Sequence, residues 1–168
     1  LLTLAENMHP KKLKVIKEYK DLEPFLEDGS QQQLEGKYTA KDKCQVGCII
    51  EAEGAEIIGD SLAEIDRLYE LGLRILTLCW NNDNRVCDSI AGQGTHNGLS
   101  AFGHQVVKRA QARGIIIDVS HASDKTFYDL AQITQKFFIA SHSNSRAMCS
   151  NRRNLTDEQI KIIAKNGG

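Results

Sequence analysis

Three short stretches of this chain hold residue types that bind metal ions: Glu51-Ala52-Glu53, Ser120-His121 and Ser141-His142. Each stands at the end of an apolar run of strand length, QVGCII at 45–50, IIIDVS at 115–120 and KFFIAS at 136–141. One carboxylate with two imidazoles is a hard-to-borderline donor set that suits zinc, or else manganese, iron or cobalt. Period-two alternation puts Ile115, Ile117, Val119 and His121 on one face of their strand, and Phe138, Ala140 and His142 on one face of the next. The two imidazoles then converge from adjacent strands. The competing reading is that each His closes its strand by bonding to backbone, but a carboxylate and two His at corresponding ends of three strands favour ligation. The same parity sets Asp118 opposite His121, where it would anchor the neighbouring helix. Parity alone does not separate Glu51 from Glu53.

Other candidates carry less. His96 and His104 fall in a loop and a helix, and His9 precedes a proline; all three read as solvated or structural. AGQGTHNG at 91–98 lacks both GxGxxG and a Gly-Lys-Ser/Thr, so it is a flexible loop rather than a phosphate cradle. Arg152-Arg153 precedes the last helix, where one guanidinium could clamp a carboxylate through two parallel hydrogen bonds. The five cysteines are odd in number and scattered. Neither Cys44 to Cys48 nor Cys79 to Cys87 has the paired knuckles of a structural zinc site, and reduced thiols in a cytoplasmic setting are expected.

The elements that position these residues alternate. An extended piece at 13–16 is followed by a short helix from Asp21, its N-cap, to a stop at Gly29; the polar stretch 30–43 reads as a loop or insertion. Strands are predicted at 45–50, 74–79, 115–120 and 136–141. Helices are predicted over 61–72, 100–113, 123–134 and 156–166, with Ser61 and Thr156 as caps and Gly72, Gly114 and Gly167 as stops. Strands alternating with helices at this spacing demand a parallel sheet, either doubly wound or part of a (β/α)8 barrel. Both put binding and catalytic residues at the C-terminal strand ends. With 21 basic against 22 acidic residues and a formal charge of −1, no basic stripe points to nucleic acid or an anionic membrane. No apolar run reaches the roughly 18 residues of a membrane span. A small molecule or peptide is the expected ligand.

The strings GCIIEAEGAEIIGDSLAEIDRLYELG, IIIDVSHASDKTFYDL and FFIASHSNSRAMCSNRRNLTDEQI closely resemble the membrane (renal-type) dipeptidase family, peptidase family M19. The resemblance covers 44–168, which it makes the central portion of a dipeptidase barrel, and is loose over 1–43. It implies a (β/α)8 barrel with a binuclear zinc site that hydrolyses dipeptides by a metal-activated hydroxide. By position, Glu53 matches the catalytic carboxylate that bridges the metals, and His121 and His142 match the imidazoles of the second metal. Arg153 matches the arginine that binds the substrate's terminal carboxylate. Trp80 stands where the animal enzymes have a substrate-contacting His. The family's first metal is held by a His-x-Asp pair, and no His here has Asp two residues later. A late Asp of the family lies beyond the matched segment. A whole barrel takes ~250 residues, so the resemblance implies an incomplete chain of four to five βα units that supplies the second-metal half of the site and binds at most one zinc. A homo-oligomer or a complementing chain is expected to complete it. The other reading is a non-catalytic remnant or binding protein that keeps one metal position.

Overall fold

The structure, a computed structural model, describes the backbone of residues 6–34 and 45–168, and their side chains except those of 27–34. The chain divides into two compact units, Leu1–Ile50 and Glu51–Gly168. In the first, β1 (Leu13–Val15) and β2 (Val46–Cys48) pair in parallel, Leu13 opposite Val46 and Val15 opposite Cys48. Helix α1 (Tyr19–Leu34) lies between them in sequence. Asp21 starts it from inside the first turn rather than as the expected N-cap: its Oδ2 accepts from the amides of Lys17 and Glu18, both at 3.0 Å. The expected stop at Gly29 does not hold, and the helix continues to Leu34. One glycine costs only about 1 kcal/mol against alanine in a helix, and the glutamines that follow are good helix formers. Residues 30–34 of the expected loop are therefore helical, and 35–43 lie outside the described residues.

The second unit is built on a four-stranded sheet of β3 (Ile50–Glu53), β4 (Leu73–Thr77), β5 (Ile116–Asp118) and β6 (Phe138–Ile139), in that spatial order. β4 and β5 are parallel, as are β5 and β6. Helices α2 (Ala63–Glu70), α3 (Ala101–Arg113), α4 (Asp124–Ile133) and α5 (Asp157–Lys165) follow the strands one for one. The run expected as one strand at 45–50 is split between β2 and β3, which belong to different sheets. β3 then continues through Glu53, so both glutamates are strand residues. It ends at Gly54, whose φ of 105° is open to glycine and strained for other residues.

Local sequence sets the helix ends. Ser100 Oγ accepts from the Gly103 amide at 2.8 Å and Ser123 Oγ from the Thr126 amide at 3.0 Å. Thr156 and Gln159 form a reciprocal capping box on α5. Gly103 also lets α3 press on the preceding loop, since a Cβ there would lie 2.0 Å from the Val86 carbonyl oxygen. No helix among the described residues is long and apolar enough to cross a membrane.

Strand register separates the two faces of the sheet. Leu76, Ile117 and Phe138 align across β4, β5 and β6 and are fully buried. Phe127 of α4 meets Phe138 edge-on, with centroids 5.7 Å apart, so this is the helix-covered face and the core. Thr77, Asp118 and Ile139 align on the opposite face. Asp118 therefore does not anchor a helix, as parity had suggested; it lies on the face that carries the site. Parity fails because β5 stops at Asp118 and His121 takes a left-handed conformation with φ of 71°, which swings its side chain back across the sheet end.

Candidate metal centre

Glu53, the last residue of β3, is reached from two sides. His121 Nε2 lies 3.0 Å from its Oε1 and His142 Nε2 lies 3.2 Å from the same oxygen. The two rings are 5.0 Å apart between centroids and tilted by 58°. The ligand atoms of the three residues all fall within 4.8 Å of one another. Their depths differ: the His121 side chain is 9% exposed, while those of His142 and Glu53 are 43% and 47% exposed and open toward solvent. Burial, and then the positive charge of Arg153, pull His121 below its ordinary value, which favours the neutral imidazole. The left-handed backbone at His121 is strain of the kind that sites hold in place through surrounding contacts. Here the His121 carbonyl accepts from the Ile90 amide at 2.8 Å and from Ser89 Oγ at 3.3 Å.

Beneath the cluster a chain of hydrogen bonds crosses the sheet from β3 to the end of β6. Thr77 Oγ1 lies 2.7 Å from Glu51 Oε1 and 2.8 Å from Asp118 Oδ2. Asp118 Oδ2 also accepts from Ser141 Oγ at 2.7 Å, and Asp118 Oδ1 accepts from the amides of Ser120 and Ser141, both at 3.0 Å. Ser141 Oγ lies 2.6 Å from His142 Nδ1. Thr77 has one proton for two carboxylates, so the two compete for it. Burial and the neighbouring Asp118 raise the Glu51 carboxyl above its ordinary range. Burial would raise Asp118 too, but the Ser120 amide, both donors of Ser141 and the Thr77 hydroxyl draw it below its ordinary range. Of the two, Glu51 is the one that takes up a proton more readily and Asp118 the one held as the anion.

Arg153 is half-buried on the turn before α5. Its guanidinium donates to Ser143 Oγ at 3.3 Å, and it feels the negative charges of Asp118 and Glu53. Burial lowers it from the usual guanidinium value, as expected of a cation drawn in from solvent. Arg146 fixes that turn. It donates to the Asn154 carbonyl at 2.8 Å and the Arg152 carbonyl at 3.0 Å, and grips Asp124 through two bonds of 2.9 and 2.8 Å. Trp80 joins none of these bonds: the residue is 52% exposed, and its carbonyl accepts from Ser89 Oγ at 2.6 Å. His96 is structural as expected, its Nε2 lying 2.7 Å from the Asn84 carbonyl. Sequence reasoning brought Glu53, His121 and His142 together and missed Thr77, Asp118, Ser141 and Arg146. The Ser-His doublets at two strand ends were the available signal for Ser141.

The donor set fits a divalent cation. Two imidazole Nε2 atoms crowd one carboxylate oxygen, and His121 Nδ1 is buried with no hydrogen-bond partner. That ring's ligating capacity is thus directed through Nε2 toward the shared point. Glu53, His121 and His142 are the residues that would hold the ion, in keeping with the nitrogen and oxygen ligation of zinc and its neighbours.

A parallel sheet with helices on one face and a carboxylate–imidazole cluster at its strand ends defines the class: part of a (β/α)8 barrel with a candidate metal centre. The family model described as membrane dipeptidase (peptidase family M19) matches residues 7–168, and the chain belongs to that family. It is 35% identical over 129 residues to Dipeptidase 3 of Mus musculus, covering 74% of this chain and 26% of that protein. It is 34% identical over 129 residues to an uncharacterised protein in the PQQ-III 3′ region of Acinetobacter calcoaceticus, covering 74% of this chain and 41% of that one. Among solved structures, the probable dipeptidase PvdM from Pseudomonas aeruginosa superposes with a TM-score of 0.82 at 26% identity, covering 99% of this chain and 40% of its own. A metallo peptidase from Rhodobacter sphaeroides, liganded with a phosphinate mimic of the dipeptide L-Ala-D-Ala, superposes with a TM-score of 0.83 at 26% identity, covering 99% and 45%. The chain thus spans less than half the length of each of these relatives.

Proposed function

We propose that this chain forms the second-metal half of a zinc-dependent dipeptidase site, with a dipeptide as substrate. The convergence of Glu53, His121 and His142 on one point, with Arg153 nearby, carries this reading. Zinc, when bound, polarises the scissile carbonyl and lowers the pKa of a water. The protein's residues supply the rest. His121 and His142 offer nitrogen donors of different depth, and Glu53 offers a carboxylate with solvent access for a second ion. Arg153 presents a planar fork to the terminal carboxylate, which sets how far the dipeptide reaches toward the cluster. The phosphinate-liganded relative supports a dipeptide as the substrate class. We also infer a cytoplasmic setting, supported by the free state of the four described cysteines. A complementing chain or a homo-oligomer would cover the part-exposed residues Ile75, Ile116 and Ile139 on the site face of the sheet. The second reading is a binding protein that keeps one metal position.

Titrating the metal-free chain with zinc chloride tests both readings. The expected result is one weakly held ion per chain, lost in His121→Ala and His142→Ala. Two tightly held ions, or unchanged zinc content in His142→Ala, would overturn the ligand assignment. Dipeptide hydrolysis by the zinc-loaded chain separates the enzyme from the binding protein.

A further inference from the structure

The structure assigns Ser141 and Asp118 a positioning role: together they fix the His142 ring as the tautomer with its proton on Nδ1, which leaves the Nε2 lone pair pointing at the metal position. The argument is a count of protons. Both Asp118 oxygens are fully engaged, Oδ1 by the Ser120 and Ser141 amides and Oδ2 by the Thr77 and Ser141 hydroxyls. Surrounded by four donors, Asp118 can only accept. The single hydroxyl proton of Ser141 goes to Asp118, so at 2.6 Å from His142 Nδ1 the Ser141 oxygen accepts from the ring, and at 3.4 Å it can accept from Ser120 Oγ as well. Glu53 Oε1, 3.2 Å from His142 Nε2, is the acceptor that competes for the ring proton. His142 Nδ1 is itself 4.0 Å from Asp118 Oδ2, too far for a direct bond, so the serine is the necessary link. The backbone is locked as well: the His142 amide donates to Ser120 Oγ at 3.1 Å. His121 has no such device, since its Nδ1 is buried without a partner and its placement comes from the left-handed backbone. The two ligands are thus held by different means, one by a hydroxyl relay and the other by chain geometry. A histidine that donates its remote N–H to an acceptor is a better-oriented and more basic ligand.

This inference rests on the metal reading only for its effect on affinity; the tautomer is a property of the metal-free chain. Nitrogen-15 correlation spectra of the metal-free protein, taken where His142 is neutral, should show His142 protonated on Nδ1. Ser141→Ala should move the proton to Nε2, where Glu53 accepts it, and weaken zinc binding about 10- to 100-fold. Ser141→Thr keeps the hydroxyl and should restore both. Should the Ala variant fail to fold, the wild-type and Thr spectra still decide. A wild-type His142 protonated on Nε2, or an Ala variant with an unchanged tautomer, overturns the inference. The expected tautomers with no zinc binding at all would instead sink the metal reading and leave the positioning role standing.

Discussion

The carboxylates of Asp83 and Asp118 each accept four hydrogen bonds, but from donors of different kinds. Asp83 takes the amides of Ser89, Gln93 and Thr95 at 2.9, 2.9 and 3.1 Å and the Thr95 hydroxyl at 2.8 Å, all from one loop. Asp118 takes two amides and two hydroxyls, and those hydroxyls come from Thr77 and Ser141, on either side of β5. An amide donor ends a hydrogen-bond chain, because its nitrogen accepts nothing. A hydroxyl passes the chain on, because its oxygen also accepts. Asp83 takes three amides and one hydroxyl, that of Thr95, all from the same loop, and is therefore a local end point that folds the segment after β4, whereas Asp118 is a junction between the strands and the His142 ring.

Removing the junction should cost most. Asp118→Ala strands four donors, of which those of Thr77 and Ser120 are buried and the two of Ser141 reach solvent. Each buried polar group left without a partner costs ~1–3 kcal/mol, so a loss of about 2 kcal/mol or more is expected in urea unfolding. Zinc affinity should fall with it, since Ser141 loses the acceptor that orients it. An unfolding midpoint close to wild type would mean that Asp118 is not the hub described.

Asp83→Ala should cost less, about 1–2 kcal/mol, and act locally. Hydrogen exchange should quicken at the amides of Ser89, Gln93 and Thr95 and stay slow at Ile117, and zinc affinity should not change. Gly92→Ala attacks the same bonds from the other side, because a Cβ at Gly92 would lie 1.7 Å from Asp83 Oδ1. The double variant should therefore be clearly less than additive. If either change weakened zinc binding, the contrast between end point and junction would collapse.

Acid sharpens the contrast further. Burial raises Asp83, but the Thr95 amide and hydroxyl and the Ser89 and Gln93 amides outweigh it and bring the folded-state value down to about 2 from an ordinary 3.8. A carboxyl depressed on folding stabilises fully above its unfolded value and loses that contribution as pH falls through its folded value. The stability gap between wild type and Asp83→Asn should accordingly be full above pH 3.8 and shrink as pH falls toward about 2. A gap that stayed constant across this interval would show that the carboxylate's charge is not what holds the loop.

The three clustered residues were legible in the sequence and the bonds that support them were not, for a physical reason. Glu53, His121 and His142 follow apolar runs, and a polar residue at the end of a strand is visible without knowing the fold. Asp118 was misplaced because alternation was extended to residue 121, three residues past the end of β5 at Asp118. The φ of 71° at His121, which undoes the parity, is unusual for a histidine and has no sequence mark. Helix starts at Ser100, Ser123 and Thr156 could be anticipated because each cap acts within four residues. Thr77 and Asp118 are 41 residues apart and meet only through strand register, which local pattern does not encode.

The smallest expected effect tests whether the polar chain acts link by link or as a unit. Thr77→Val keeps the side-chain shape and removes the hydroxyl between Glu51 and Asp118. Asp118 keeps three of its four donors, and Ser141 still donates to it at 2.7 Å, so the link that orients His142 is intact. Stability should fall by about 1 kcal/mol, the typical worth of one hydrogen bond, and zinc affinity should change far less than in Ser141→Ala. Calorimetric titration of the two variants side by side gives the comparison directly. If Thr77→Val weakened zinc as much as Ser141→Ala did, the hydroxyls would be acting cooperatively, as polarised networks in a low-dielectric interior can. The junction at Asp118 would then extend through Thr77 to Glu51 on β3, the strand that also carries Glu53.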